Sequence, residues 1–175
     1  MRVTEYLAAD HQRLHEFLAR AATGTFDAEA FERFRGGLLR HIGIEEKLLF
    51  PEVRRRGGGA PEALLRLRVE HAALAALLVP TPDATLAAEI EALLVVHDAR
   101  EDATGGVYAS CEAILGEASA ALADAAQQFP TVRTARHFDG NGVHRTAREA
   151  IASAEQSMAR RRKRAAPSPP GGREI

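Results

Sequence analysis

The chain has 175 residues, 46% of them apolar, with a formal net charge of −1, which suits one globular domain with a real core and an appended tail. A single cysteine, Cys111, excludes an intrachain disulfide and fits a reducing, cytoplasmic compartment. No apolar run is long enough to span a bilayer, and no secretory-type apolar segment follows Met1.

Alanine and leucine dominate, which favours helix over sheet. The first predicted helix runs from about Thr4 to Ala22, with Tyr6, Leu7, Leu14, Phe17 and Leu18 as its apolar stripe. Asp27 is an N-cap for a second helix that continues to about Arg56 and stops at Gly57-Gly58-Gly59. Pro61 opens a third helix, to about Val79. A fourth runs from Asp83 to about Thr104, is interrupted at Gly105-Gly106, and resumes from Val107 to about Gln127. Such short connections predict an all-α, antiparallel up-down-up-down four-helix bundle over 1–127. Beyond it, 128–164 reads as a loop and a basic C-terminal helix from Val143 to Lys163, and 165–175 as a disordered Pro/Gly/Ser-rich tail. The charge divides the same way: residues 1–126 carry 13 Lys/Arg and 20 Asp/Glu, a balance of −7, and 127–175 carry 10 and 4, a balance of +6. The run Arg160–Arg164 could contact nucleic acid or an anionic surface, but no aromatic flanks it, and it reads first as a solvated helix end.

Two motifs recur. An acid, His, then Leu three and seven places on appears at Asp10-His11 and again at Glu70-His71, sixty residues later. His41 with Glu45 is echoed by His97 with Glu101, fifty-six residues later, and each pair is followed by a second acid, Glu46 or Asp102. Positions i and i+4 share a helix face, and the apolar neighbours Leu38, Ile42, Leu93 and Leu94 put that face on or beside the buried stripe. A bare carboxylate there is costly unless it is paired, protonated or metal-bound. Four imidazoles and two carboxylates can be satisfied together by two divalent cations, and N/O donors in excess of four suit iron or manganese better than tetrahedral zinc. A surface His/Glu pair, worth about 0.3–0.5 kcal/mol, would require the same coincidence twice.

The segments DH-QRL, HIGIEEKLLFP, EH-AAL and HDARED, in this order, resemble the hemerythrin-like (HHE cation-binding) family over roughly residues 1–120. That resemblance implies a bundle holding two iron ions with a bridging oxo or hydroxo group. Its ligands would be His11, His41, Glu45, His71, His97 and Glu101, with Glu45 and Glu101 as bridges. Some relatives carry a second histidine on the third helix where Ala75 stands; His15, four residues after His11, is the alternative fifth histidine, and Asp102 competes with Glu101 for the bridge. Gly105-Gly106-Val107-Tyr108, in place of a second LFP, is expected to loosen that end of the bundle and open a path inward. Glu46 is expected in solvent or supporting a ligand imidazole, and His137 and His144 in solvent. The function so implied is binding or sensing of O2, NO or a peroxide, with iron storage or a metal-responsive interaction module as the alternative. No residue offers acid/base chemistry for an organic substrate, so an enzyme is not expected beyond weak peroxidase or catalase-like turnover. HExxH and ExxH are both absent, which excludes a zinc-protease helix and a ferritin-like site.

Overall fold

The first helix begins where the Glu5 carboxylate accepts the Arg2 N–H at 2.8 Å, which supplies an acceptor to an otherwise unpaired terminal amide. In the computed structural model, which describes residues 1–57 and 62–165, this helix is α1, Val3–Ala22. Asp27 caps α2, Ala28–Ile44, by accepting the Ala30 N–H, and Asp83 caps α5, Ala84–Asp102, by accepting the Leu86 N–H. Between them lie α3, Phe50–Gly57, and α4, Glu62–Leu77. The chain ends in α6, Val107–Leu115, α7, Ala118–Gln127, and α8, Ala147–Ala165. There is no strand among the described residues, and no helix there is long and apolar enough to cross a membrane.

Three elements differ from the sequence expectation. The second helix is one rod from Ala28 to Gly57, but Glu45–Leu49 is a π-turn in which the Phe50 N–H reaches back five residues to the Glu45 carbonyl. Pro51 accounts for it: the ring lacks a donor and crowds the carbonyl four residues earlier, and a wider turn relieves that crowding. The segment 107–127 is two helices, because Gly116 adopts φ +53° between α6 and α7. The last helix starts at Ala147 rather than Val143, since residues up to Arg145 are tied to the end of α4 and the start of α5: Phe138 N–H donates to the Val79 carbonyl, and Arg145 reaches the Thr81 carbonyl and Asp83. The glycine stop at 58–59 and the Pro61 start lie outside the described residues, as does the tail beyond Ala165.

Two apolar clusters form the core. One holds Leu14, Leu18, Phe31, Phe34, Leu38, Leu74, Leu77, Leu86, Ile90 and Leu94. The other holds Val3, Leu7, Ile44, Leu49, Phe50, Leu64, Leu67, Val107 and Tyr108. Each buried histidine falls at the changeover along its helix: His11 between Leu7 and Leu14, His41 between Leu38 and Ile44, His71 between Leu67 and Leu74, His97 after Leu94. The site is therefore a polar layer sealed on both sides by hydrocarbon. Close packing of α1 on α2 is set by Gly37, where a Cβ would stand 2.8 Å from Leu14 Cδ2. Helix α8 lies on α4 and adds Ala150 and Ala154 to the first cluster.

Candidate metal centre

The six expected residues, His11 and His41, His71 and His97, Glu45 and Glu101, are all buried and meet in the polar layer. Their donor atoms form two groups, each with its atoms within 4.8 Å of one another: Glu45, His71, His97 and Glu101 in one, His11, His41 and Glu101 in the other. Glu101 belongs to both. Its Oε2 lies 3.3 Å from His11 Nε2 and its Oε1 3.6 Å from His97 Nε2. Glu45 turns a single oxygen inward, with Oε2 3.0 Å from His71 Nε2 and 3.7 Å from His41 Nε2.

All four imidazoles are oriented the same way. The Nδ1–H of His11 donates to Asp102 at 2.8 Å, that of His41 to Asp10 at 3.2 Å, that of His71 to Glu46 at 3.1 Å and that of His97 to Glu70 at 3.0 Å. A carboxylate only accepts, so each pair keeps the proton on Nδ1 and turns Nε2 inward, where a metal ion would displace any proton it carries. The supporting acids come in sequence beside the inward-facing groups. Asp10 precedes His11 and Glu70 precedes His71, while Glu46 follows Glu45 and Asp102 follows Glu101. Each helix thus holds the histidine of its neighbour.

Asp102 sits behind His11 rather than in the shared space, and Glu46 supports His71 as one of its two expected roles. The structure does not bring His15 into the cluster: its side chain is 30% exposed and both ring nitrogens face carboxylates, Glu91 at 3.0 Å and Asp98 at 2.7 Å. His137 was expected in solvent but is half-buried, 2.6 Å from Glu32, and His144 is half-buried too. Sequence reasoning passed over Asp10 and Glu70, although the acid beside each histidine was visible, and it missed Tyr108. That residue lies in the 105–108 segment, where a cavity lined by Gly105, Gly106, Val107 and Cys111 is found. Gly105 at φ +75° and Gly106, whose Cβ would meet the carbonyls of Arg100, Glu101 and Ala103 at 2.8 Å, fold the chain tightly back. The turn buries the Tyr108 ring against His11, and the hydroxyl donates to Glu45 Oε1 at 2.7 Å.

Electrostatics describe a centre short of positive charge. Burial, then the charge of Glu45, pushes the Glu101 carboxyl well above the usual range. Burial would raise Glu45 too, but His41 and His71 outweigh it and hold it low. Against burial, Asp102 and Glu101 lift His11 to about 11, and Glu45 and Glu46 lift His71 to about 10. Burial keeps His97 low and the Tyr108 phenol protonated. Protons alone satisfy the cluster poorly. Glu45 Oε2, His71 Nε2, His97 Nε2 and both Glu101 oxygens are buried without a hydrogen-bond partner, and the 3.0 Å approach of His71 to Glu45 lacks hydrogen-bond alignment. His11 Nε2 and His41 Nε2 lie 3.0 Å apart, so one proton shared between them satisfies both. Buried, inward-facing N and O atoms that lack partners of their own fit divalent cations. Cys111 is buried, and burial pushes its thiol up to about 12, which suits packing rather than nucleophilic chemistry.

The sequence model of the hemerythrin HHE cation-binding domain matches residues 2–139. The chain belongs to this family. The match reaches past the 1–120 expected from the motifs into the loop that follows α7. No curated protein and no solved structure gives a match. As an HHE domain the chain binds metal cations, and its buried His/Glu groups are those that could hold them.

Proposed function

We propose that this HHE domain holds two iron ions and binds or senses a small diatomic ligand, O2 or NO, in the cytoplasm. The ligands are His11, His41, Glu45, His71, His97 and Glu101. The observation that carries the reading is the common orientation of the four histidines, each fixed through Nδ1 by a carboxylate of a neighbouring helix with its Nε2 facing a buried glutamate. The alternation of the two core clusters along α1, α2, α4 and α5 supports an antiparallel up-down-up-down arrangement for these helices. The lone buried Cys111 supports a reducing compartment.

Iron in this layer would supply electrons and a coordination position for the diatomic ligand. The protein supplies the rest. Leu7, Leu14, Leu67 and Leu74 flank the histidines and exclude water. The Asp10, Glu46, Glu70 and Asp102 carboxylates hold the imidazoles in one tautomer and raise their donor strength.

Metal analysis of protein purified without chelator should find about two irons per chain, one for each donor group. The reduced protein should then develop a visible band with O2 that vanishes under vacuum. Iron without that band moves the function to iron handling. No metal, with unchanged helicity in His41→Ala, overturns the site.

A further inference from the structure

The two donor groups are not equivalent, although the motifs that build them are. The His71–His97 position has four protein donors within reach and the His11–His41 position has three, and the missing one is Glu45. The cause is visible at the carboxylate. Glu45 Oε1 accepts the Tyr108 hydroxyl at 2.7 Å, so a single oxygen, Oε2, is left for both sides, nearer to His71 Nε2 at 3.0 Å than to His41 Nε2 at 3.7 Å. Glu101 has no such donor: both of its oxygens lack a hydrogen-bond partner, and they reach one histidine of each group.

The other half of the site carries a built-in control. His71 is covered by Phe50, rings 6.0 Å apart and 7° from parallel, much as His11 is covered by Tyr108 at 5.8 Å and 13°. The two aromatics do the same packing, and only one has a hydroxyl. Tyr108 follows the tight Gly105-Gly106 turn, and its hydroxyl, bonded to Glu45 Oε1, also lies 3.4 Å from His11 Nε2.

We propose that Tyr108 is a positioning residue that makes the two metal positions unequal: by holding Glu45 Oε1 it leaves the His11–His41 position one protein donor short, so a divalent cation fills the His71–His97 position first. The inference rests on the two-metal reading of the site.

The test is titration of the metal-free full chain with cobalt(II), following its d–d absorption and competing against a chelator. Wild type should take two equivalents, the second about tenfold or more weaker, the range expected for a carboxylate oxygen tied to a donor. Tyr108→Phe, which copies Phe50, should tighten the second equivalent and narrow that ratio by about tenfold, with a changed spectrum for the second cobalt only. If the Phe variant does not fold, Tyr108→Leu removes the same hydroxyl and carries the same expectation. Two equal affinities in wild type, or a ratio unchanged in the variant, overturn the inference and leave the two-metal reading standing. Fewer than two equivalents in wild type overturns both.

Discussion

The pair of α1 and α2 and the pair of α4 and α5 carry the same His/Glu pattern, yet they hold it in different surroundings. Around Glu45 the helix widens into a π-turn ahead of Pro51, and a tyrosine hydroxyl takes one carboxylate oxygen. Around Glu101 the helix stays regular, and both oxygens are directed at histidines. On the helix surface, α8 covers α4, whereas Phe129 lies against α2 at Gly43. A repeated motif therefore specifies which atoms converge. The chain that follows each glutamate specifies how many of those atoms remain available.

The largest expected difference between the halves is in metal content. Glu101→Ala removes a donor from both groups and should leave the purified protein essentially metal-free. Glu45→Ala removes a donor from one and should retain about one ion per chain, read by elemental analysis. Equal losses would erase the distinction.

The supporting acids come next. Asp10→Ala and Glu70→Ala remove the acceptors of His41 and His97 respectively, and each should weaken metal binding by about 10- to 100-fold, measured by chelator competition. The two losses should fall on different equivalents, since the two histidines belong to different groups.

The smallest effect concerns packing. By the fifty-six-residue offset of the repeat, Gly37 of α2 corresponds to Leu93 of α5 (37 + 56 = 93), so only the first helix pair has a glycine at this contact. Gly37→Ala forces the end of Leu14 to yield, at about 1–3 kcal/mol, offset by about 1 kcal/mol of helix propensity, so the metal-free protein should lose about 0–2 kcal/mol, measured by urea unfolding. A raised midpoint would mean that Leu14 yields freely and that the two helix pairs pack with equal slack.

Much of this centre was legible in the sequence because local spacing encodes it. A histidine and a glutamate four apart on an apolar stripe face one volume, whatever the partner helices do, and the caps at Asp27 and Asp83 are equally local. The roles of Asp10 and Glu70 were not legible. A residue next to a histidine points about 100° around the helix, and which neighbour it meets there depends on how the helices pack. Tyr108 was hidden for a related reason. Two glycines read as slack in one dimension, but here they make a tight turn that only a residue without Cβ can complete. The π-turn escaped because Pro51 announces a disturbance without saying whether the helix will break, kink or widen.

The ring of carboxylate–imidazole bonds has a consequence for how the site assembles. Because each helix carries both an inward-facing group and, on the adjacent residue, the acid that steadies its neighbour, no helix can rotate or slide without disturbing two corners at once. A small shift of α1 displaces His11 and, through Asp10, releases His41. The four corners should therefore form and fail together, so that metal uptake and the final locking of the bundle are a single cooperative event rather than four separate ones.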